Sequence, residues 1–101
     1  MQYKDTWTVH FTRQAEKQYE KLKRNGSKPS ILDVINLLLV ELKLEGPYRS
    51  NWPGYGLLEK REFHCHLKKG NPTYVACWKL TDKNSKKIEV YYVGTHENAP
   101  Y

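Results

Sequence analysis

Apolar and polar residues alternate over 6–12. Trp7, Val9 and Phe11 are apolar; Thr6, Thr8, His10 and Thr12 are polar. A period of two predicts a half-buried strand with its core face on the odd numbers, which leaves His10 on the polar face. The period changes at Arg13. Ala15, Tyr19 and Leu22 recur at spacings of four and three, which predicts a helix over 13–24 with a narrow apolar stripe. Thr12 is placed to cap it. Asn25-Gly26 stops it, because glycine accepts the left-handed geometry that ends a helix. A second helix is expected over 29–45, preceded by Ser27 and with Pro29 in its tolerant first turn. Ile31, Val34, Ile35, Leu38 and Leu42 build one face. Leu32, Leu37, Leu39, Val40 and Leu44 widen the apolar surface past a single stripe. Core packing accounts for most of that width; the excess offers a contact for a partner protein or a second copy. Gly46-Pro47 ends the helix.

Residues 47–56 are rich in Gly, Pro and aromatics and read as a loop. Its rings, Tyr48, Trp52 and Tyr55, either pin the loop to the core or stack on bases, and pinning is the favoured reading. The remainder reads as strands. Residues 57–69 contain a run in which Phe63, Cys65 and Leu67 face one way and His64, His66 and Lys68 the other. Gly70-Asn71-Pro72 is a turn. Residues 73–80 are nearly all apolar, as in a central strand. Thr81 to Lys86 is a polar turn, and 87–93 is the last strand. The order β-α-α-β-β-β predicts an α+β fold, with two N-terminal helices on one face of a four-stranded, mainly antiparallel sheet. The chain, 101 residues long, makes one domain, 1–101.

Composition adds a partner class. Lys and Arg outnumber Asp and Glu by 17 to 11, a net charge of +6. A small basic domain points to a polyanion such as RNA, or to an acidic protein. Lys17, Lys21, Lys23 and Arg24 on the first helix are a solvated face or an RNA contact. Thirteen aromatic residues, counting Trp, Tyr and Phe, argue against disorder. The two cysteines, Cys65 and Cys77, fall among apolar neighbours and read as buried thiols of a reduced, cytosolic protein. The N-terminus lacks the apolar stretch of a signal peptide, and Ile31 to Leu44 is too short and too charged to span a bilayer.

Candidate chemistry concentrates in the last third. One segment is Glu62-Phe63-His64-Cys65-His66-Leu67-Lys68-Lys69; the other is Gly94-Thr95-His96-Glu97-Asn98-Ala99-Pro100-Tyr101. If the helices cover one sheet face, His64, His66 and Lys68 lie on the open one. His96 leaves the last strand at its end and can fold back beside them. One imidazole takes a proton, another returns one, and cations hold a phosphate. That needs neither a metal nor a small-molecule cofactor. A His-x-His pair is also metal-ligand spacing, but a closed zinc site needs four ligands and Cys65 points the other way. Surface histidines without catalysis fit the spacing equally well.

At these residues the chain resembles the RelE-type toxins of bacterial toxin–antitoxin pairs, in the RelE/ParE superfamily, and most of all the YafQ-like branch. The resemblance covers almost the whole chain in element order. It is specific in Cys65-His66-Leu67 and Gly94-Thr95-His96. It implies a cytoplasmic, ribosome-dependent mRNA endonuclease, in which the RNA 2′-hydroxyl attacks the adjacent phosphate. It implies His66 and His96 as acid–base residues and Tyr101 as the aromatic that follows the C-terminal histidine; His64 has no assigned counterpart in the family and is a catalytic candidate on strand parity alone. Arg61 and Lys60 lie where the wider family keeps basic residues and would stabilise the transition state; Lys60, Lys68, Lys69, Trp52 and Tyr55 are the candidate RNA contacts that charge and the aromatic loop supply. Its partners would be a cognate antitoxin protein, mRNA and ribosomal RNA, with no membrane. The branch carries an acidic residue shortly after the strand histidine, where this chain has Lys68-Lys69-Gly70. It also carries an upstream histidine, where this chain has Trp52-Pro53-Gly54. The other readings are a ParE-like toxin that binds a protein such as gyrase without catalysis, and a simple RNA-binding domain.

Overall fold

A computed structural model describes residues 6–25, 29–70 and 72–101. Gly26, Ser27 and Asn71 fall outside them, and with them the glycine stop, the serine before the second helix and the middle of the 70–72 turn. So does the start of the chain. Strand β1 (Thr8–Phe11) leads into helices α1 (Arg13–Asn25) and α2 (Pro29–Glu45). Then come β2 (Gly56–Glu59), β3 (Glu62–Lys68), β4 (Tyr74–Asp82), β5 (Lys87–Thr95) and a 3-10 turn, His96–Asn98.

The sheet has five strands in the order β1-β5-β4-β3-β2. This corrects the expected four. The run 57–69 is a hairpin, not one strand, and it turns at Lys60-Arg61 between β2 and β3 with a bulge between Leu57 and Glu59. Nothing in Glu59-Lys60-Arg61-Glu62 carries the Gly, Asn or Pro that marks a tight turn. The sheet is also mixed. β1 pairs parallel with β5, while the other three pairings are antiparallel.

Both helices cover one face. The core between the layers takes Ala15, Ile31, Ile35, Leu38 and Leu42 from the helices and Phe63, Cys65, Leu67, Trp78, Ile88 and Val90 from the strands. Trp7, Val9 and Phe11 pack against it, as their parity requires. Thr12 caps α1, its Oγ1 accepting the Ala15 N–H at 3.1 Å. Phe11 and Tyr19 bring β1 and α1 together at 5.3 Å between ring centres. Gly46 ends α2 at φ +93°, and the Trp7 ring lies 2.9 Å from where a β-carbon would stand, so both backbone and space require glycine there.

Tyr55, Phe63 and Trp78 form a triangular aromatic cluster under the loop that follows α2, with ring centres 6.0–6.4 Å apart. The Trp78 indole N–H donates to the Pro47 carbonyl at 3.0 Å. A second, smaller cluster of Val75, Cys77 and Tyr92 lies apart from the main core, with Leu58, Tyr91 and Ala99 packed on it. It occupies the face turned away from the helices, since Val75 and Cys77 pair with His66 and His64. No helix among the described residues is long and apolar enough to cross a membrane.

Candidate active site

β3 alternates strictly between the two faces. Phe63, Cys65 and Leu67 are buried toward the helices, and His64 and His66 are half-buried on the open face. His64 lies opposite Cys77 and His66 opposite Val75 on β4. β5 ends at Thr95, opposite Tyr74, and the chain there turns back. The His96 N–H donates to the Thr73 carbonyl at 2.8 Å, and the Ala99 N–H to the His96 carbonyl at 3.1 Å. These two bonds fold 96–101 over the open face.

The fold-back brings together four residues that the sequence singles out. His66 and His96 meet edge to face, 5.9 Å between ring centres. Tyr101 lies 4.6 Å from His64 and 5.6 Å from His96. On the other side the loop closes in. A β-carbon on Gly54 would stand 2.5 Å from the His66 ring, and one on Gly56 would stand 3.1 Å from His64 Nε2. The imidazoles are thus held between a glycine-bearing loop and the C-terminal segment.

Burial, then the neighbouring His66 and His96, lowers the pKa of His64 below its ordinary value. Each effect disfavours a positive charge on that ring. Burial raises the Tyr101 phenol, so it is neutral at neutral pH. The Nδ1 atoms of His64 and His66 are buried and make no hydrogen bond within the protein. Unpaired buried nitrogens cost roughly 1–3 kcal/mol each and recur where a site is kept for function.

The other expected site residues are dispersed. Lys68 and Lys69 are exposed at the end of β3, two and three positions beyond His66. Lys60 and Arg61 are exposed in the β2–β3 turn, at the opposite end of β3. Arg61 precedes His64 by three residues and His66 by five, roughly 10 and 16 Å along a strand. The structure therefore does not gather Arg61 with the His66–His96 pair. Trp52 is 9% exposed, and its indole N–H donates to Glu41 Oε1 at 2.8 Å. Tyr55 is stacked in the aromatic core. Both rings pin the loop to the core. Tyr48, 58% exposed, is the most exposed ring of that loop, and it lies edge-on to Phe63 on the helix side.

Gly54, Gly56 and the Pro53 carbonyl are site components that sequence reasoning passed over. Their signal was the spacing Pro53-Gly54-Tyr55-Gly56, since glycine permits close approach of the backbone to another group. Both thiols are buried, and burial pushes Cys65 and Cys77 up to about 12, so neither is a nucleophile at neutral pH. Among the described residues, no group of three or more His, Cys, Asp or Glu is gathered so as to hold a metal ion.

A cleft of about 670 Å³ adjoins the site. Gln14, Gln18 and Lys21 of α1 line one wall; Thr95, Asn98 and Pro100 line the other. Gln18 accepts the Val93 N–H at 3.0 Å, beyond the point where β1 leaves β5. Family models, curated proteins and solved structures give no match to the chain.

Proposed function

We propose that this chain is a RelE-type toxin, an endoribonuclease that cleaves mRNA on the ribosome and so arrests translation in the cytoplasm. The observation that carries the reading is the cluster of His64, His66, His96 and Tyr101 on the open sheet face of a chain with net charge +6. Three imidazoles gathered on one face, two of them edge to face, supply both halves of acid–base catalysis without another group.

In the proposed reaction, β3 supplies the base and the C-terminal segment the acid. His66 faces His96 directly and takes the proton of the RNA 2′-hydroxyl. The 2′-oxygen then attacks the adjacent phosphorus and the bond to the 5′-oxygen breaks. His96, exposed at the mouth of the site, gives its proton to that leaving oxygen. The products are a 2′,3′-cyclic phosphate and a 5′-hydroxyl. His64, held neutral, backs His66 as a second base. Tyr101 donates its phenolic proton in a hydrogen bond to the phosphate. Lys68 and Lys69 offset the charge that develops on the phosphorane, as Arg61 does if RNA binding brings the β2–β3 turn closer. A nucleotide next to the cleaved bond fits the cleft between α1 and Thr95–Pro100.

Two partners complete the reading. The ribosome presents the mRNA, and an acidic antitoxin neutralises the toxin. The exposed stripe of Leu37, Val40 and Leu44 on α2 is the proposed antitoxin contact.

The test is end-group analysis of RNA fragments. The reading expects 2′,3′-cyclic phosphates from the wild type, and a loss of about 10²- to 10⁴-fold in His66→Ala and in His96→Ala. Unchanged cleavage in both variants refutes the assignment of these imidazoles. A wild type that cuts no RNA and instead binds a protein such as gyrase favours the ParE-like alternative.

A further inference from the structure

We infer that Glu41, on the helix layer, is a positioning residue for His66 on the open face, acting through the loop that rounds the edge of β3. Its consequence for catalysis rests on the ribonuclease reading, whereas its geometry does not.

One carboxylate oxygen gathers three donors. Glu41 Oε1 accepts from Arg49 Nη1 at 3.0 Å, from Asn51 Nδ2 at 3.1 Å and from the Trp52 indole N–H at 2.8 Å. Burial alone would raise this carboxyl. The three hydrogen bonds and the Arg49 charge outweigh it and hold Glu41 below its ordinary value. Glu41 is therefore an anion at neutral pH, and charge-assisted bonds of this kind are the stronger ones. The loop is also closed on itself, with the Trp52 N–H on the Arg49 carbonyl at 2.9 Å and the Tyr55 N–H on the Trp52 carbonyl at 3.3 Å.

The next two residues reach the other face. The Pro53 carbonyl accepts the His66 N–H at 2.7 Å. Gly54, at φ +65°, passes so close over the His66 ring that a β-carbon would lie 2.5–2.7 Å from its atoms. Within three residues the chain goes from a side chain buried among the helices (Trp52) to a backbone resting on an imidazole (Gly54). A shift of the anchor therefore moves the surface against which His66 lies. Tyr55, packed against Phe63 and Trp78, holds the loop independently of Glu41, so loss of the carboxylate displaces the loop without releasing it.

The experiment follows imidazole resonances through a pH titration, in wild type, Glu41→Ala, Glu41→Gln and Asn51→Ala, and measures mRNA cleavage on ribosomes with the same proteins. His10, paired with Glu89 at 3.3 Å on β1, is the internal reference. Glu41→Ala should move the His66 resonances and titration midpoint while His10 stays in place. It should lower kcat about 10- to 100-fold, with KM changed by less than about twofold. Glu41→Gln keeps an oxygen acceptor and should recover most of both. A folded Glu41→Ala protein with His66 titrating as in wild type overturns the inference. If Glu41→Ala does not fold, Asn51→Ala decides instead. Asn51 is exposed and donates one of the three bonds, so its removal should move His66 in the same sense, and an unmoved His66 overturns the inference. A moved His66 in a protein whose wild type cuts no RNA sinks the ribonuclease reading and leaves the positioning contact standing.

Discussion

At the scale of the residue, the histidines separate by environment. His10 faces outward on an edge strand beside Glu89, and His64 is half-buried under Tyr101. The folded pKa of His64 lies below its unfolded value near 6.5, so the unfolded chain binds the proton more readily. The stability that His64 contributes is present above pH 6.5 and is lost as the pH falls through the folded value. Thermal unfolding between pH 7.5 and 5 should show this fall, and His64→Gln should flatten it. An equal slope in both proteins would show that His64 does not set it. Trp78 tests the core. It is fully buried, with its indole N–H on the Pro47 carbonyl. Trp78→Ala should cost about 3–5 kcal/mol in chemical denaturation.

Most elements were legible in the sequence, and the exceptions have physical causes. β1 and both helices follow their hydrophobic period, because each has a single buried face. The β3 alternation also held, and it placed His64 and His66 on the open side. The β2–β3 hairpin was not legible, because Lys60 and Arg61 turn the chain without glycine, asparagine or proline. Leu57, 66% exposed on the outer strand, blurred the pattern further. The parallel β1–β5 pairing joins the two ends of the sheet-forming sequence, which local periodicity cannot encode. Within the site, the meeting of His66 with His96 followed from strand parity and a chain that turns back. The approach of Gly54 to His66 depends on a loop folded by Glu41, eleven residues before Trp52, and no local rule links those positions.

The second helix carries its own prediction. Ile31, Ile35, Leu38 and Leu42 are buried, whereas Leu37 and Val40 are 53% and 52% exposed. Leu37→Glu or Val40→Glu should therefore leave the unfolding temperature within a few degrees of wild type. If the stripe is the antitoxin contact, the same changes should weaken that binding at least about tenfold, read by titration calorimetry. A collapse in stability would instead make these residues part of the core.

At the scale of the whole molecule, charge and architecture point in one direction. Helices seal one face of the sheet, and the other holds three imidazoles and a phenol. If the chain binds ribosomes as proposed, that binding should weaken steeply as salt rises, because each phosphate contact made by a chain of net charge +6 releases counterions. The most direct test of the account is cleavage of a defined mRNA on programmed ribosomes, with wild type beside His96→Ala and free RNA as control. The wild type should cleave only when the ribosome is present, and cleavage should fall at least about 100-fold in His96→Ala. Intact mRNA in every lane, or equal cleavage by the two proteins, would contradict it.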